Sequence, residues 1–316
     1  MSKKIISVVG ATGIQGGSVI AALLKDGDFS IRALTRKPES DAAKALRAQG
    51  VQVVKADVND LASLIAAFEG SSAIFAVTNF FEPFGQHGAA KAMEIEVEQG
   101  VNLAKAASAT KTLEHYIWST LPNSKRVSGG KFSVHHFDAK NRIDDFIKAD
   151  ASLFSKTTFL WVTFYASNYY FPMFTPLHVP TAGKYIQLQG TPATVPIKTI
   201  GDARTNVGVF VKSILAQPDR TLYGRVVLAY AEETTAGDML QTWARAQGKT
   251  AQYIQIDEAT FNAIWPMWAE EIGAMMQYWN EVKDRSWSGE PSILTKEDLN
   301  VTGLIGLEDS FTALKF

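Results

Sequence analysis

The stretch Val8-Val9-Gly10-Ala11-Thr12-Gly13-Ile14-Gln15-Gly16-Gly17 carries the clearest signal of architecture in the chain. It closes the β-branched run Ile5–Val9, which reads as a buried strand, and opens Gly16–Lys25, whose apolar spacing reads as a helix. Gly10, Gly13 and Gly16 thus stand in a turn between strand and helix. Small residues there permit a tight turn and let backbone N–H groups approach a pyrophosphate. The helix N-terminus adds unpaired donors and a positive dipole end. A glycine triplet alone also serves turns and helix packing. Here strand, loop, helix and second strand follow in order within about 30 residues, which points to a dinucleotide.

Outward from this loop, short strands alternate with helices. Strands are expected at Ser30–Leu34, Val51–Lys55, Ala73–Val77, His115–Trp118 and Thr158–Thr163. Helices are expected at Asp41–Gln49, Leu61–Phe68, Ala89–Ser108 and His136–Ala149. Such alternation implies right-handed crossovers and a doubly wound, parallel α/β sheet of the Rossmann type. Past Phe164 the texture changes, because residues 165–198 hold five of the 11 prolines among aromatics, which suits loops and short strands. A helix at Gly201–Ala216 and a strand at Val226–Ala229 would return to the main sheet, and the chain beyond Gly237 reads as mainly helical. The expected organisation is a core over residues 1–164, with sheet returns near 200–230, and a smaller, mainly helical lobe over 165–316 for substrate or partner, interleaved with the core.

Composition narrows the function. Of 316 residues, 46% are hydrophobic and 20% charged, the balance of a soluble globular chain. A formal net charge of −1 gives no global field toward nucleic acid or anionic membrane. With no cysteine, disulfides, thiolate metal sites and a cysteine nucleophile are excluded. Lys3 and Lys4 precede an apolar run, but Gly10, Gly13, Gly16, Gly17 and Gln15 break it too early for a secretory signal. No long apolar segment reads as a membrane span. A cytoplasmic or nuclear protein is expected, and monomer and dimer fit the sequence equally. No metal site is expected: His135 and His136 diverge as neighbours on a helix, and His87, His115 and His178 lack ligand spacing. Ser119 lacks the glycines of a hydrolase elbow.

Cofactor choice is read after the second strand. An NAD site offers Asp or Glu there to the ribose 2′-OH. This chain offers Leu34-Thr35-Arg36-Lys37-Pro38. A carboxylate would repel a 2′-phosphate, whereas Arg36 pairs with one bidentately and Lys37 adds charge. NADP(H) is the expected cofactor.

With these residues placed, the chain resembles the NmrA-like family of atypical short-chain dehydrogenase/reductases, in particular its NADPH-sensing branch. The resemblance spans nearly the whole chain. It rests on V-V-G-A-T-G-I-Q-G-G-S-V, on L-T-R-K-P, on V-T-N-F-F-E at 77–82, on H-F-D-A-K at 136–140 and on Y-A-S-N at 165–168. It implies that Gly10, Thr12, Gly13, Ile14, Gln15 and Gly16 hold the pyrophosphate and that Arg36 and Lys37 meet the 2′-phosphate. Asp57 and Val58 would lie near the adenine, and Thr78, Asn79 and Phe80 would line the cofactor. Lys140 would reach the nicotinamide ribose, and Tyr165, Ser167 and Asn168 would border the nicotinamide.

Typical short-chain reductases carry a Tyr-x-x-x-Lys helix and a Ser ending the fifth strand. Here Ser119 and Thr120 end that strand and Lys140 fills the lysine position, but His136 stands where the tyrosine would be. Imidazole is a competent acid near neutral pH, and related plant phenylpropanoid reductases lean on the lysine. His136, Lys140 and Ser119 are therefore the candidate catalytic residues for hydride transfer to a carbonyl, quinone or activated alkene. The alternative is a non-catalytic NADPH/NADP sensor acting through a regulatory protein partner, because the sensing branch also carries His-Phe-Asp-x-Lys. Phe261, Trp265, Trp268, Ile272, Met275, Met276 and Trp279 recur at helical steps around Pro266, as lobe core or as an aromatic wall for a flat substrate or a partner.

Overall fold

The computed structural model describes residues 3–315. Its first half runs β1 (Lys4–Val8), α1 (Ile14–Asp26), β2 (Phe29–Thr35), α2 (Asp41–Ala48), β3 (Gln52–Lys55), α3 (Leu61–Phe68), β4 (Ala73–Ala76), α4 (Phe81–Ala109), β5 (His115–Thr120), α5 (Ser124–Val127), α6 (His135–Ala149), α7 (Ala151–Ser155) and β6 (Thr157–Val162). Then follow β7 (Phe164–Tyr165), β8 (Leu177–Val179), β9 (Lys184–Gln189), β10 (Pro196–Gly201), α8 (Ala203–Ala216), α9 (Pro218–Thr221), β11 (Arg225–Ala229) and β12 (Glu232–Thr235). The chain ends with α10 (Ala236–Ala246), β13 (Ala251–Gln255), α11 (Glu258–Ile264), α12 (Ala274–Val282), β14 (Ile293–Leu294) and α13 (Leu307–Ala313).

The central sheet has eight strands in the order β14-β11-β6-β5-β4-β1-β2-β3. All its pairings are parallel. Strands β4, β5 and β6 are buried at every residue, as expected of central strands covered on both faces. Helices α1 and α8 cover one face through Val19, Ile20, Leu23, Val207, Phe210 and Val211. Helices α3, α4 and α6 cover the other through Leu64, Phe68, Leu103, Ile143 and Ile147. Helices α1 and α8 nearly touch: a Cβ at Gly208 would lie 2.2 Å from the Ser18 carbonyl oxygen. The Gly208 N–H instead donates to Ser18 Oγ at 2.8 Å. Strand order reverses between β1 and β4, the switch point where open α/β sheets take ligands.

The expected returns to the sheet are present as α8 and β11. The short strands expected over residues 165–198 are present as β8, β9 and the start of β10, and beyond Gly237, where the sequence reads as mainly helical, β13 and β14 are added. One three-stranded sheet joins β7, β10 and β12, and another joins β8, β9 and β13. In the second, Ala251–Gln255 pairs in parallel with Tyr185–Gln189, a partner too remote in sequence to signal itself. The aromatic stripe is also not one helix. It breaks after Ile264, where Met267 takes φ 69°, and resumes as a π-helical turn over Ala269–Gly273. Phe261, Ile272, Met275, Met276 and Trp279 join the core, while Trp265 and Trp268 stay half-buried. Helix α4 joins two helices across a kink at Gly88: the expected one begins at Ala89, and residues 81–87 before it, His87 among them, form a further helical segment that the sequence reading does not include. Asn79 Oδ1 accepts the Phe81 N–H, Pro83 falls in the first turn where it is tolerated, and Gly88 (φ 75°) then bends the helix.

Candidate functional site

The predicted segments all lie along one edge of the sheet. Residues 10–16 follow β1, Arg36 and Lys37 follow β2, Asp57 and Val58 follow β3, and Thr78–Phe80 follow β4. Ser119 ends β5, and Tyr165 with the 3₁₀ turn Ala166–Tyr170 follows β6.

The loop after β1 is built as a cradle. Gly10 has φ 65°, and its carbonyl accepts the Gly13 N–H at 2.8 Å. A Cβ at Gly16 would lie 2.3 Å from the Gly10 oxygen and 2.8 Å from the Val9 oxygen, so only glycine lets α1 approach β1 this closely. Helix α2 is capped by Ser40 and α3 by Asp60, but α1 has neither a side-chain cap nor an acid in its first turn. Its N-terminal donors stay available to an external anion, and the cradle therefore fits a pyrophosphate. Thr12 is exposed and Ile14 half-buried beside it. Gln15 Nε2 donates to the Tyr165 hydroxyl at 2.6 Å, tying the loop to the segment after β6, while its Oε1 is buried without a partner. Burial pushes the Tyr165 phenol up to about 12, against the opposing Gln15 hydrogen bond.

Exposed Arg36 does not stand alone: its Nη2 donates to both oxygens of Glu82, at 2.8 and 3.0 Å. Lys37 is exposed next to it. Asp57 closes a turn by accepting the Asn59 backbone and side-chain N–H groups, and the Val58 carbonyl accepts from Asn102 on α4. Ser167 and Asn168 are half-buried in the 3₁₀ turn.

Helix α6 presents His136 and Lys140 one turn apart, and each is held by a buried carboxylate. Lys140 Nζ donates to Thr78 Oγ1 at 3.0 Å and to Glu96 Oε1 at 3.1 Å, and lies 5.2 Å from the Trp118 ring centre. Thr78 donates to the same Glu96 oxygen at 2.7 Å, while Glu96 Oε2 is buried without a partner. His136 Nδ1 lies 2.5 Å from Glu271 Oε1, which also accepts the His136 backbone N–H at 2.9 Å. Glu271 Oε2 lies 2.8 Å from His135 Nδ1. Burial pushes the Glu271 carboxyl up, but the hydrogen bonds from His135 and His136 outweigh it and hold the group at about 2. The same contact with Glu271 raises the half-buried His135.

Aromatic rings enclose His136. Phe80 and Phe81 lie 5.7 and 5.3 Å from its ring centre, and Trp268 stacks on Phe81 at 5.9 Å. Phe171 lies 5.9 Å from Phe81 and 5.8 Å from Trp268. Ser119 is buried but not hydrogen-bonded to His136 or Lys140. Strand alternation puts it on the face opposite Trp118 and Thr120, whose side chains both donate to Asp144. Burial pushes the Asp144 carboxyl up to about 7.

Thus Gln15 meets Tyr165, Thr78 meets Lys140, and Phe80 meets His136, while Ser119 remains apart. Sequence reading missed the three partner acids. Glu96 carries a signal in helix phase, since it shares the buried stripe Ala92, Gly100, Leu103, Ala104 and Ala107. Glu271 carries none, because its turn is π-helical. Clefts of about 490 and 380 Å³ are lined by α1, α8 and residues 296–304, away from these loops.

Comparison with known proteins agrees with this architecture. The chain is 30% identical over 274 residues to the NmrA-like family domain-containing oxidoreductase notA of Aspergillus sp. (strain MF297-2), covering 81% of this chain and 77% of that one. The NmrA negative transcriptional regulator in complex with NADP superposes with TM-score 0.72 at 20% identity, over 98% of this chain and 90% of that one. The NADPH-dependent quinone oxidoreductase QOR2 of Escherichia coli, complexed with NADPH, superposes with TM-score 0.70 at 18% identity, over 97% and 98%. The model of the NmrA-like family matches residues 2–303, from the first strand past the last strand of the main sheet, and the chain belongs to that family.

Proposed function

We propose that the protein is an NADPH-dependent reductase acting on the carbonyl, quinone or activated alkene of a flat, largely apolar small molecule. The observation that carries this reading is the His136 ring, enclosed by Phe80 and Phe81 and set one helical turn from Lys140. An aromatic enclosure excludes water and favours a planar, neutral substrate.

Gly10, Gly13 and Gly16 take the pyrophosphate against the N-terminus of α1, with Thr12, Ile14 and Gln15 around it. Arg36 and Lys37 take the 2′-phosphate, Asp57 and Val58 border the adenine, and Thr78, Asn79 and Phe80 line the path beyond β4. Tyr165, Ser167 and Asn168 border the nicotinamide, and Lys140, steadied by Glu96 and Thr78, takes the ribose. The reduced nicotinamide supplies a hydride when bound. His136 holds at Nε2, the nitrogen not engaged by Glu271, the proton that passes to the substrate oxygen.

The test is a screen of NADPH oxidation over quinones, enones and ketones, with products identified by mass spectrometry. His136→Phe is expected to keep NADPH binding and to lower turnover by about 10²–10⁴, the usual worth of a positioned acid. If Lys140 alone does the chemistry, His136→Phe leaves the rate intact and Lys140→Met abolishes it.

A second reading is a non-catalytic NADPH/NADP sensor that regulates a protein partner. The engagement of Lys140 by Glu96 favours it, since the lysine is already spoken for. No turnover with any substrate class, together with partner binding that changes with NADPH, would select the sensor.

A further inference from the structure

Resting on the reductase reading, we infer that Glu271 is the positioning residue for His136: it binds Nδ1, orients the ring, and leaves Nε2 as the atom that gives up the proton. Glu271 comes from the π-helical turn Ala269–Gly273, remote in sequence from α6, and its residue is fully buried. A π turn inserts one residue into the helical ladder, a distortion frequent at functional sites. Here it delivers the carboxylate to the first turn of α6, one oxygen to each of two neighbouring histidines. Oε1 takes the His136 backbone N–H at 2.9 Å and its Nδ1 at 2.5 Å, and Oε2 takes His135 Nδ1 at 2.8 Å.

A simpler role is available to this carboxylate. Helix α6 has no side-chain cap of its own, so an acid accepting the His136 N–H also serves as a cap delivered from outside. Capping explains the contact to the backbone. It does not explain why the same oxygen also lies at Nδ1. A carboxylate at one ring nitrogen fixes the tautomer, and with it which nitrogen titrates. Among charged groups near this ring, Glu271 faces it from the lobe. His135, Asp138 and Lys140 share α6, Glu270 neighbours Glu271, and Glu96 on α4 is engaged with Lys140.

The step balances simply. The substrate carbon gains the hydride from the reduced nicotinamide, and its oxygen gains the proton leaving Nε2. His136 remains neutral with its proton on Nδ1 against Glu271, and Nε2 regains a proton from solvent.

The test compares wild-type protein with Glu271→Gln. Glutamine keeps an oxygen for the helix cap and for Nδ1 but removes the charge. Nitrogen NMR of the histidine rings is expected to show the Nδ1–H tautomer of His136 in the neutral wild-type protein. In Glu271→Gln the preference of His136 for the Nδ1–H tautomer is expected to weaken at least about tenfold, because a neutral amide oxygen accepts from Nδ1 less strongly than a carboxylate. Against a quinone that the wild type reduces, kcat is expected to fall at least about tenfold, with KM and NADPH affinity nearly unchanged. A wild-type Nε2–H tautomer overturns the inference, and that measurement needs no variant and no turnover. So does a Glu271→Gln protein with altered Tm but unchanged His136 tautomer and kcat, which would make Glu271 a cap alone while leaving the reductase standing. Absence of wild-type turnover with every substrate, beside the Nδ1–H tautomer of His136, instead brings down the reductase reading.

Discussion

Arg36, just past the second strand, gives one guanidinium nitrogen to both carboxylate oxygens of Glu82 in the first turn of α4. The same guanidinium is the group proposed above for the 2′-phosphate, so on that proposal carboxylate and phosphate compete for it. Both side chains are about half exposed, and such a pair is worth about 0–1 kcal/mol. Glu82→Gln is therefore expected to tighten NADPH binding up to about fivefold and to leave NADH unchanged. Arg36→Asp should erase the preference for NADPH, which one charge-assisted pair sets at about tenfold or more. Calorimetry with both cofactors measures each effect. Equal tightening of NADH in Glu82→Gln would show that the pair does not gate the phosphate.

Lys140 is expected to matter to stability as well as to cofactor binding. Its removal strands Glu96, a fully buried carboxylate whose second oxygen already has no partner. Breaking a buried ion pair from one side costs about 3–5 kcal/mol. Lys140→Ala should lower the Tm markedly even without cofactor, and Lys140→Ala/Glu96→Gln should recover much of it. Thermal melts of the two variants decide the matter. A double variant no more stable than the single one would rule out the stranded charge as the cause.

Two buried groups on β5 and α6 should bend the pH–stability curve in opposite directions. Burial raises Asp144 to about 7, so its contribution is full below its unfolded value near 4 and is lost as pH rises toward 7. Burial lowers His115 to about 4, so its contribution is present above its unfolded value near 6.5 and is lost as pH falls toward 4. Between pH 4 and 6.5 the two offset each other. Asp144→Asn keeps an acceptor for Trp118 and Thr120 and removes only the ionisation. Relative to wild type, it should gain stability as pH rises from 4 to 7, exposing the His115 slope. A Tm difference that stays flat across this window would contradict the Asp144 shift, and an Asp144→Asn curve that is itself flat from pH 4 to 6.5 would contradict the His115 shift.

Gly16→Ala tests the cradle. The added methyl carbon would sit 2.3 Å from the Gly10 carbonyl oxygen, a backbone atom that cannot swing aside. The loop or α1 must move, and NADPH affinity is expected to fall at least about tenfold with some loss of Tm, since overpacking costs typically 1–3 kcal/mol. Gly17→Ala is the control, because its nearest neighbour beyond the adjoining chain lies at 3.7 Å.

The parts legible in the sequence are those with local causes. Strand β1, the glycine loop and α1 announce themselves through a change of hydrophobic period within one short stretch, and Arg36 through the absence of an acid after β2. What stayed hidden depends on partners far along the chain. The stretch 81–88 at the start of α4 looks like a loop, with Pro83, Gly85 and Gly88. Its order comes from Phe80 and Phe84 packing together and from Trp268 against Phe84 at 4.9 Å. Glu271 joins His136 across a sequence separation of 135 residues, through a π turn that no regular periodicity encodes. The family motif names His136 and Lys140 but not the acids that hold them.

The near-contact of Gly208 with Ser18 bears on the order in which the molecule can be made. Helix α1 carries the phosphate loop on its first turn, yet its outer apolar flank stays bare until α8 arrives. A chain emerging from the ribosome displays the loops that end β1 to β6 well before the helix that seats the first of them. Nucleotide capture should therefore be a late event of synthesis, and any fragment ending before residue 203 should present the α1 flank to chaperones rather than a finished binding cleft.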